Sequence, residues 1–129
     1  MTVFVDTSAF YALLIADDGD HPAAASRWKE LLTNHENRLF TSNYVVVETV
    51  SLLRSRVGVS AVRRFVDDIL PAVNMIWVSE EMHLAAVGLM LAHGRRGPSL
   101  VDCSSFILMQ EFHIPHAFAF DAHFTRQGS

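Results

Sequence analysis

The chain of 129 residues contains a single cysteine, Cys103, so an internal disulfide is excluded and stability has to come from packing. Lysine is almost as scarce: Lys29 is the only one, and the other nine bases are arginines. A phosphoacceptor receiver domain needs a lysine after a late strand, and Lys29 falls in an early helical segment. Long apolar runs are missing too. Asp6, Asp17, Glu48 and Asp102 interrupt the hydrophobic stretches before any reaches the roughly 18 to 20 residues that cross a bilayer. No basic segment precedes "TVFVD", and neither a P-loop nor a G-x-S-x-G elbow occurs. A cytoplasmic protein without membrane association is the expectation.

What is present is apolar residue: half of the chain is hydrophobic, enough for one domain spanning 1–129 with a sizeable core. The formal charge of −4 argues against steering of the whole molecule onto a polyanion. Setting aside the four acids singled out below leaves ten acids against ten bases, so a local positive rim is possible. Arg54, Arg56, Arg63, Arg64, Arg95 and Arg96 fall near helix ends or turns, where they read either as solvated charge or as contacts to RNA phosphates or an acidic partner segment.

Periodicity alternates between strand and helix. Residues 2–6 and "HAFAFD" read as strands ending directly in aspartate, and "RLFTS" and "NMIWVS" as two further strands. Helices are expected over 8–15, from His21-Pro22 to about 35, over 43–56, 60–70, 80–93 and 100–113. This alternation predicts a three-layer α/β/α domain around a mostly parallel sheet, whose ligands would sit at the carboxyl ends of strands.

Four carboxylates stand where the surroundings ought to be dry: Asp6 after "VFV", Glu48 in "YVVVETVSLL", Asp102 in "SLVDCSSFILM" and Asp121 after "AFAF". A buried, unpaired carboxylate costs several kcal/mol, so each needs a proton, a partner or a metal. Asp6 can simply cap the helix that follows, Ser99-x-x-Asp102 is a capping box, and Asp121 can begin a turn. Glu48 lies beyond capping range and has no Lys or Arg three or four residues away; otherwise it must reach a solvent edge. Strand ends and adjacent helix starts converge at one sheet edge, and oxygen-only clusters of this kind suit Mg²⁺ or Mn²⁺. Thr7 and Ser8 would supply hydroxyls to orient Asp6.

"VFVDTSAFYAL", "NYVVVETVSLL", "SLVDCSSFILM" and "AFAFDAHF", in this order and spacing, resemble the PIN-domain ribonucleases, most of all the VapC-type toxins of bacterial toxin–antitoxin pairs. The resemblance implies a Mg²⁺-dependent endoribonuclease, Mn²⁺ substituting, with Asp6, Glu48, Asp102 and Asp121 as metal ligands and Ser8 as the accompanying hydroxyl. It also implies RNA as substrate and an antitoxin protein as partner; a homodimer is expected because the apolar residues exceed what one small core can hold. Ala119 stands where the family often has Thr or Ser. "FTRQGS" stands where family members usually continue into one more edge strand, so the sheet is expected to lack it.

Other classes fit less well. A haloacid-dehalogenase-like phosphatase also begins with a strand ending in Asp, but needs a second Asp where Ser8 stands. A catalytically silent PIN-like module that only binds a partner has no use for intact acids. Ile114-Pro115 separate His113 from His116 and argue for a helix end rather than zinc, while Cys103 reads as core. Trp28 and Trp77 read as core or interface aromatics. Phe10, Tyr11, Leu13, Leu14, Val57 and Phe65 are the candidates for exposed apolar stripes at a dimer or antitoxin contact.

Overall fold

The computed structural model of the protein describes residues 1–126, with side chains as far as Phe124. Strand β1 (Thr2–Val5) is followed by helices α1 (Thr7–Leu14) and α2 (His21–Thr33). After β2 (Arg38–Ser42) come α3 (Asn43–Arg56) and α4 (Val59–Arg64). β3 (Asn74–Ile76), α5 (Glu80–His93), α6 (Leu100–Glu111), β4 (His116–Phe118) and a short α7 (Ala122–Arg126) complete the chain.

The strands pair in parallel in the order β3-β2-β1-β4. Val3, Phe4 and Val5 are buried because β1 is central and covered on both faces, which explains an unbroken apolar run instead of alternation. From β1 the chain steps outward to β2 and β3, then returns to the other side of β1 as β4. Crossovers of one hand that reverse direction place their helices on opposite faces, which gives the three-layer α/β/α fold. The reversal also makes the β1/β4 edge the topological switch point, where a crevice opens beyond the strand ends.

Helix starts are set by short hydroxyl residues. The side chains of Ser42, Ser79 and Ser99 accept from the N–H groups of Val45, Met82 and Asp102, the third residue of α3, α5 and α6 respectively. Gly58, at φ 133°, ends α3 and turns the chain into α4 in a conformation that L side chains rarely adopt.

Three expectations need correction, and a fourth falls partly outside the described residues. The helix expected over 60–70 does not continue as α-helix: after Arg64 the backbone widens into a π-helical turn at Phe65–Ile69 and tightens into a 3₁₀ turn at Leu70–Ala72, within which Pro71 excludes more α-helix. "HAFAFD" is a strand only to Phe118, since the Phe120 N–H donates to Ser8 Oγ at 2.9 Å instead of to a neighbouring strand. Phe10, Phe65 and Leu14 are core residues, the two rings packing edge to face with centroids 4.9 Å apart, while Tyr11 and Leu13 pack partly against that core. Val57 alone of that set is exposed; the large exposed apolar side chains include Val47, Trp77, Leu84 and Leu91. The missing edge strand at "FTRQGS" falls in part outside the described residues: Phe124–Arg126 belong to α7, and residues 127–129 are not described. Among the described residues no helix is long and apolar enough to cross a membrane.

Candidate active site

Asp6 leaves β1 in extended backbone and caps α1. Its Oδ2 accepts from the Ser8 N–H at 3.1 Å and from the Ser8 hydroxyl at 2.6 Å. The same Ser8 oxygen accepts from Phe120 N–H, and the Asp6 N–H donates to the Phe118 carbonyl at 3.0 Å. Ser8 therefore ties the end of β1 to the chain leaving β4 and fixes the Asp6 carboxylate between them. Only 2% of Asp6 is exposed, and Oδ1 is buried without a hydrogen-bond partner. An orphaned carboxylate oxygen costs more than most folds tolerate unless something is meant to bind it.

The other three acids border the same cleft, of about 1020 Å³. Glu48 projects from the middle of α3. The Thr7 hydroxyl, whose one proton can go to Glu48 or to the Val45 carbonyl 3.4 Å away, tends to hold that carboxylate ionised. Asp102 is buried at the third position of α6 in a reciprocal capping box: its backbone N–H donates to Ser99 Oγ at 3.1 Å, and its Oδ2 accepts from Ser99 N–H at 3.3 Å. Asp121 lies three residues beyond β4, and its Oδ1 accepts from the His123 N–H at 2.7 Å.

Burial and neighbouring acids of the cleft together raise the carboxyls of Asp6, Glu48 and Asp102. Burial pushes Asp6 up to about 6, with Asp102 and Glu48 adding to the rise and the Ser8 hydrogen bonds opposing it. Burial raises Glu48 first, then Asp102 and Asp121. Burial also raises Asp102, with Asp121 contributing, while Ser99 and His123 pull the other way. Capping and clustering, which the sequence offered as alternatives, hold together: Asp6 and Asp102 each commit Oδ2 to a helix start, and Asp121 commits Oδ1 to a turn.

Sequence reasoning missed His123, which borders the cleft and lies near enough to Asp102 to favour its charge. The spacing Asp121-x-His123 was its only signal. Tyr11, Arg56 and Arg95 also line the cleft. Cys103 is fully buried, with its thiol pushed up by burial and by Asp102, and His113 and His116 are exposed at the end of α6 and the start of β4. Among the described residues, no group of three or more His, Cys, Asp or Glu side chains is placed so that it could hold a metal ion. The four acids line the cleft without converging on one point.

The protein is thus a parallel α/β domain with an acidic crevice at its switch point. The sequence profile of the PIN domain matches residues 3–128, and the chain belongs to that family. It is 33% identical over 127 residues to the 23S rRNA-specific endonuclease VapC20 of Mycobacterium tuberculosis, covering 98% of this chain and 94% of that protein. The crystal structure of that VapC20, described as a sarcin-ricin loop cleaving toxin, superposes with a TM-score of 0.81 at 32% identity over 98% of this chain and 95% of that one. FitAcB from Neisseria gonorrhoeae has the same fold, with a TM-score of 0.69 at 13% identity over 98% of this chain and 92% of that one. So does VapBC2 from Rickettsia felis bound to promoter DNA, at 0.61 and 16% over 94% and 100%.

Proposed function

We propose that this chain is a divalent-metal-dependent endoribonuclease, the toxin of a toxin–antitoxin pair, and that Asp6, Glu48, Asp102 and Asp121 hold the metal. The observation that carries this reading is Asp6 Oδ1: buried, unpartnered and on a carboxylate raised to about 6. Without a cation, four acids around one cleft repel and resist ionisation, and oxygen-only donors match Mg²⁺ with Mn²⁺ as substitute. When bound, the metal would activate a water and neutralise the charge that develops on a phosphodiester.

The chain's own residues prepare that chemistry. Ser8 fixes one Asp6 oxygen and leaves the other for the cleft. Ser99 does the same for Asp102 Oδ2. The Asp121 cap brings His123 alongside Asp102. A phosphatase of the dehalogenase type would need an acid at position 8, but the hydroxyl there is committed to Asp6 and Phe120.

The relation to VapC20 makes 23S ribosomal RNA the first substrate to try, in a cytoplasmic setting. An antitoxin protein and a second copy of the chain are the partners proposed, the exposed apolar residues being available for contact. Purified protein should cut 23S rRNA with Mg²⁺ or Mn²⁺ and stop on addition of EDTA. Cleavage indifferent to EDTA would overturn the metal reading, and an intact rRNA under all conditions would overturn the substrate.

A further inference from the structure

Helix α3 presents Glu48, Leu52 and Arg56 to the cleft at intervals of four residues, so they form one stripe along the helix. At 1.5 Å rise per residue, Arg56 lies about 12 Å along the axis from Glu48. On α1, Ser8 and Tyr11 stand three residues apart and line the same cleft. The Arg56 guanidinium lies over the Tyr11 ring, 5.6 Å from its centroid. Among the described residues the ion pair is Arg27 with Glu30, so Arg56, although it shares a cleft with several acids, has no carboxylate partner. Asp18 and Asp20 also line the cleft, so Arg56 is a basic group with no ion-pair partner in a mostly acidic cleft, about two turns of α3 from Glu48.

We infer that Arg56 and Tyr11 form a clamp for a phosphate flanking the cleavage point in a single-stranded RNA segment, with Leu52 offering apolar surface to the intervening base. This rests on the ribonuclease reading and extends it. An exposed arginine held over an aromatic ring loses less freedom when it grips a phosphate in bidentate fashion. Single-stranded RNA exposes base faces that an apolar or aromatic wall can meet, which paired RNA does not. The pair positions substrate and touches no reacting atom.

The test is binding of a mixed-sequence single-stranded oligoribonucleotide, followed by fluorescence anisotropy across a salt series. An Asp6→Asn background keeps the RNA uncut. Arg56→Gln should weaken binding about tenfold, as expected for loss of a charge-assisted hydrogen bond. It should also make the slope of log K against log salt shallower by about 0.7, one phosphate contact. Arg63→Gln removes an exposed charge of α4 that does not border the cleft and should leave the slope as it was. Tyr11→Leu should lower affinity without changing the slope, and Tyr11→Phe should restore it. Equal slopes for Arg56→Gln and its parent, or an equal loss in Arg63→Gln, would overturn the clamp. A defect of Arg56→Gln confined to capture of an acidic peptide would overturn it in favour of a protein partner. Cleavage by the unmutated protein is scored separately: RNA bound but never cut sinks the nuclease reading and leaves the clamp, whereas RNA cut with Arg56 indifferent does the reverse.

Discussion

Asp6 concentrates the consequences of the site in one side chain. Its carboxyl is pushed up to about 6 from an unfolded value of 3.8, so between those values the native state holds a proton that the unfolded chain has released. Stability of the metal-free protein should therefore fall as pH rises from about 4 to about 6, by about 3 kcal/mol from this residue. Denaturant melts of metal-free protein at pH 4.5 and 6.5 check the sign. Asp6→Asn should flatten the dependence, raise stability at the higher pH, and reduce cleavage by orders of magnitude, because the amide keeps the size and loses the charge. A mutant that cuts as well as its parent would return Asp6 to the role of a helix cap.

At the scale of the element, two caps of the same chemistry should behave differently. Ser99 starts α6 and holds Asp102; Ser79 starts α5 and accepts from Met82 N–H, with no site acid involved. Replacing either by alanine should cost about 1 kcal/mol in a denaturant melt. Only Ser99→Ala should also slow cleavage: the Ser99 N–H still donates to Asp102 Oδ2, but the Asp102 N–H loses its Ser99 Oγ acceptor, and the turn that positions the carboxylate loosens. Equal activities in the two variants would show that the capping box serves α6 alone. The same elements show what could be read in advance. β1, α3, α5 and α6 were legible because buried strands and capped helices leave period and punctuation in the sequence. The π-helical turn at 65–69 was not, since it depends on backbone pairing that apolar spacing does not encode. The last strand was drawn three residues too long because a hydroxyl 112 positions away captures the Phe120 N–H. All four acids were legible as interruptions of apolar runs. His123 and the Arg56–Tyr11 pair were not, because each becomes meaningful only when distant segments share a cleft.

Across the whole molecule, exposed apolar surface and metal-linked stability are the two properties a solution experiment can read. α5 turns Leu84 and Leu91, seven residues apart and hence on one face, to solvent at 60% and 70% exposure. Light scattering at micromolar concentration should give the mass of a homodimer, and Leu84→Glu should shift it toward monomer; a parent that is monomeric already removes the dimer. The metal response tests the site as a unit. Four acids drawn from β1, α3, α6 and the turn after β4 can bind one ion only when the native fold holds them together. An ion that binds the native state alone stabilises it by RT ln(1 + [L]/Kd), about 2.7 kcal/mol at one hundred times Kd. Thermal melts with and without millimolar Mn²⁺ should therefore show a clear rise in Tm for the parent. Asp102→Asn, by removing one charge from the repelling set, should offset some of the lost capping stability without metal and respond less to Mn²⁺. Lower pH should blunt the parent's response too, because a proton on Asp6 below about 6 competes with the ion. An identical Mn²⁺ response in both proteins would take Asp102 out of the metal site and leave it as the partner of Ser99.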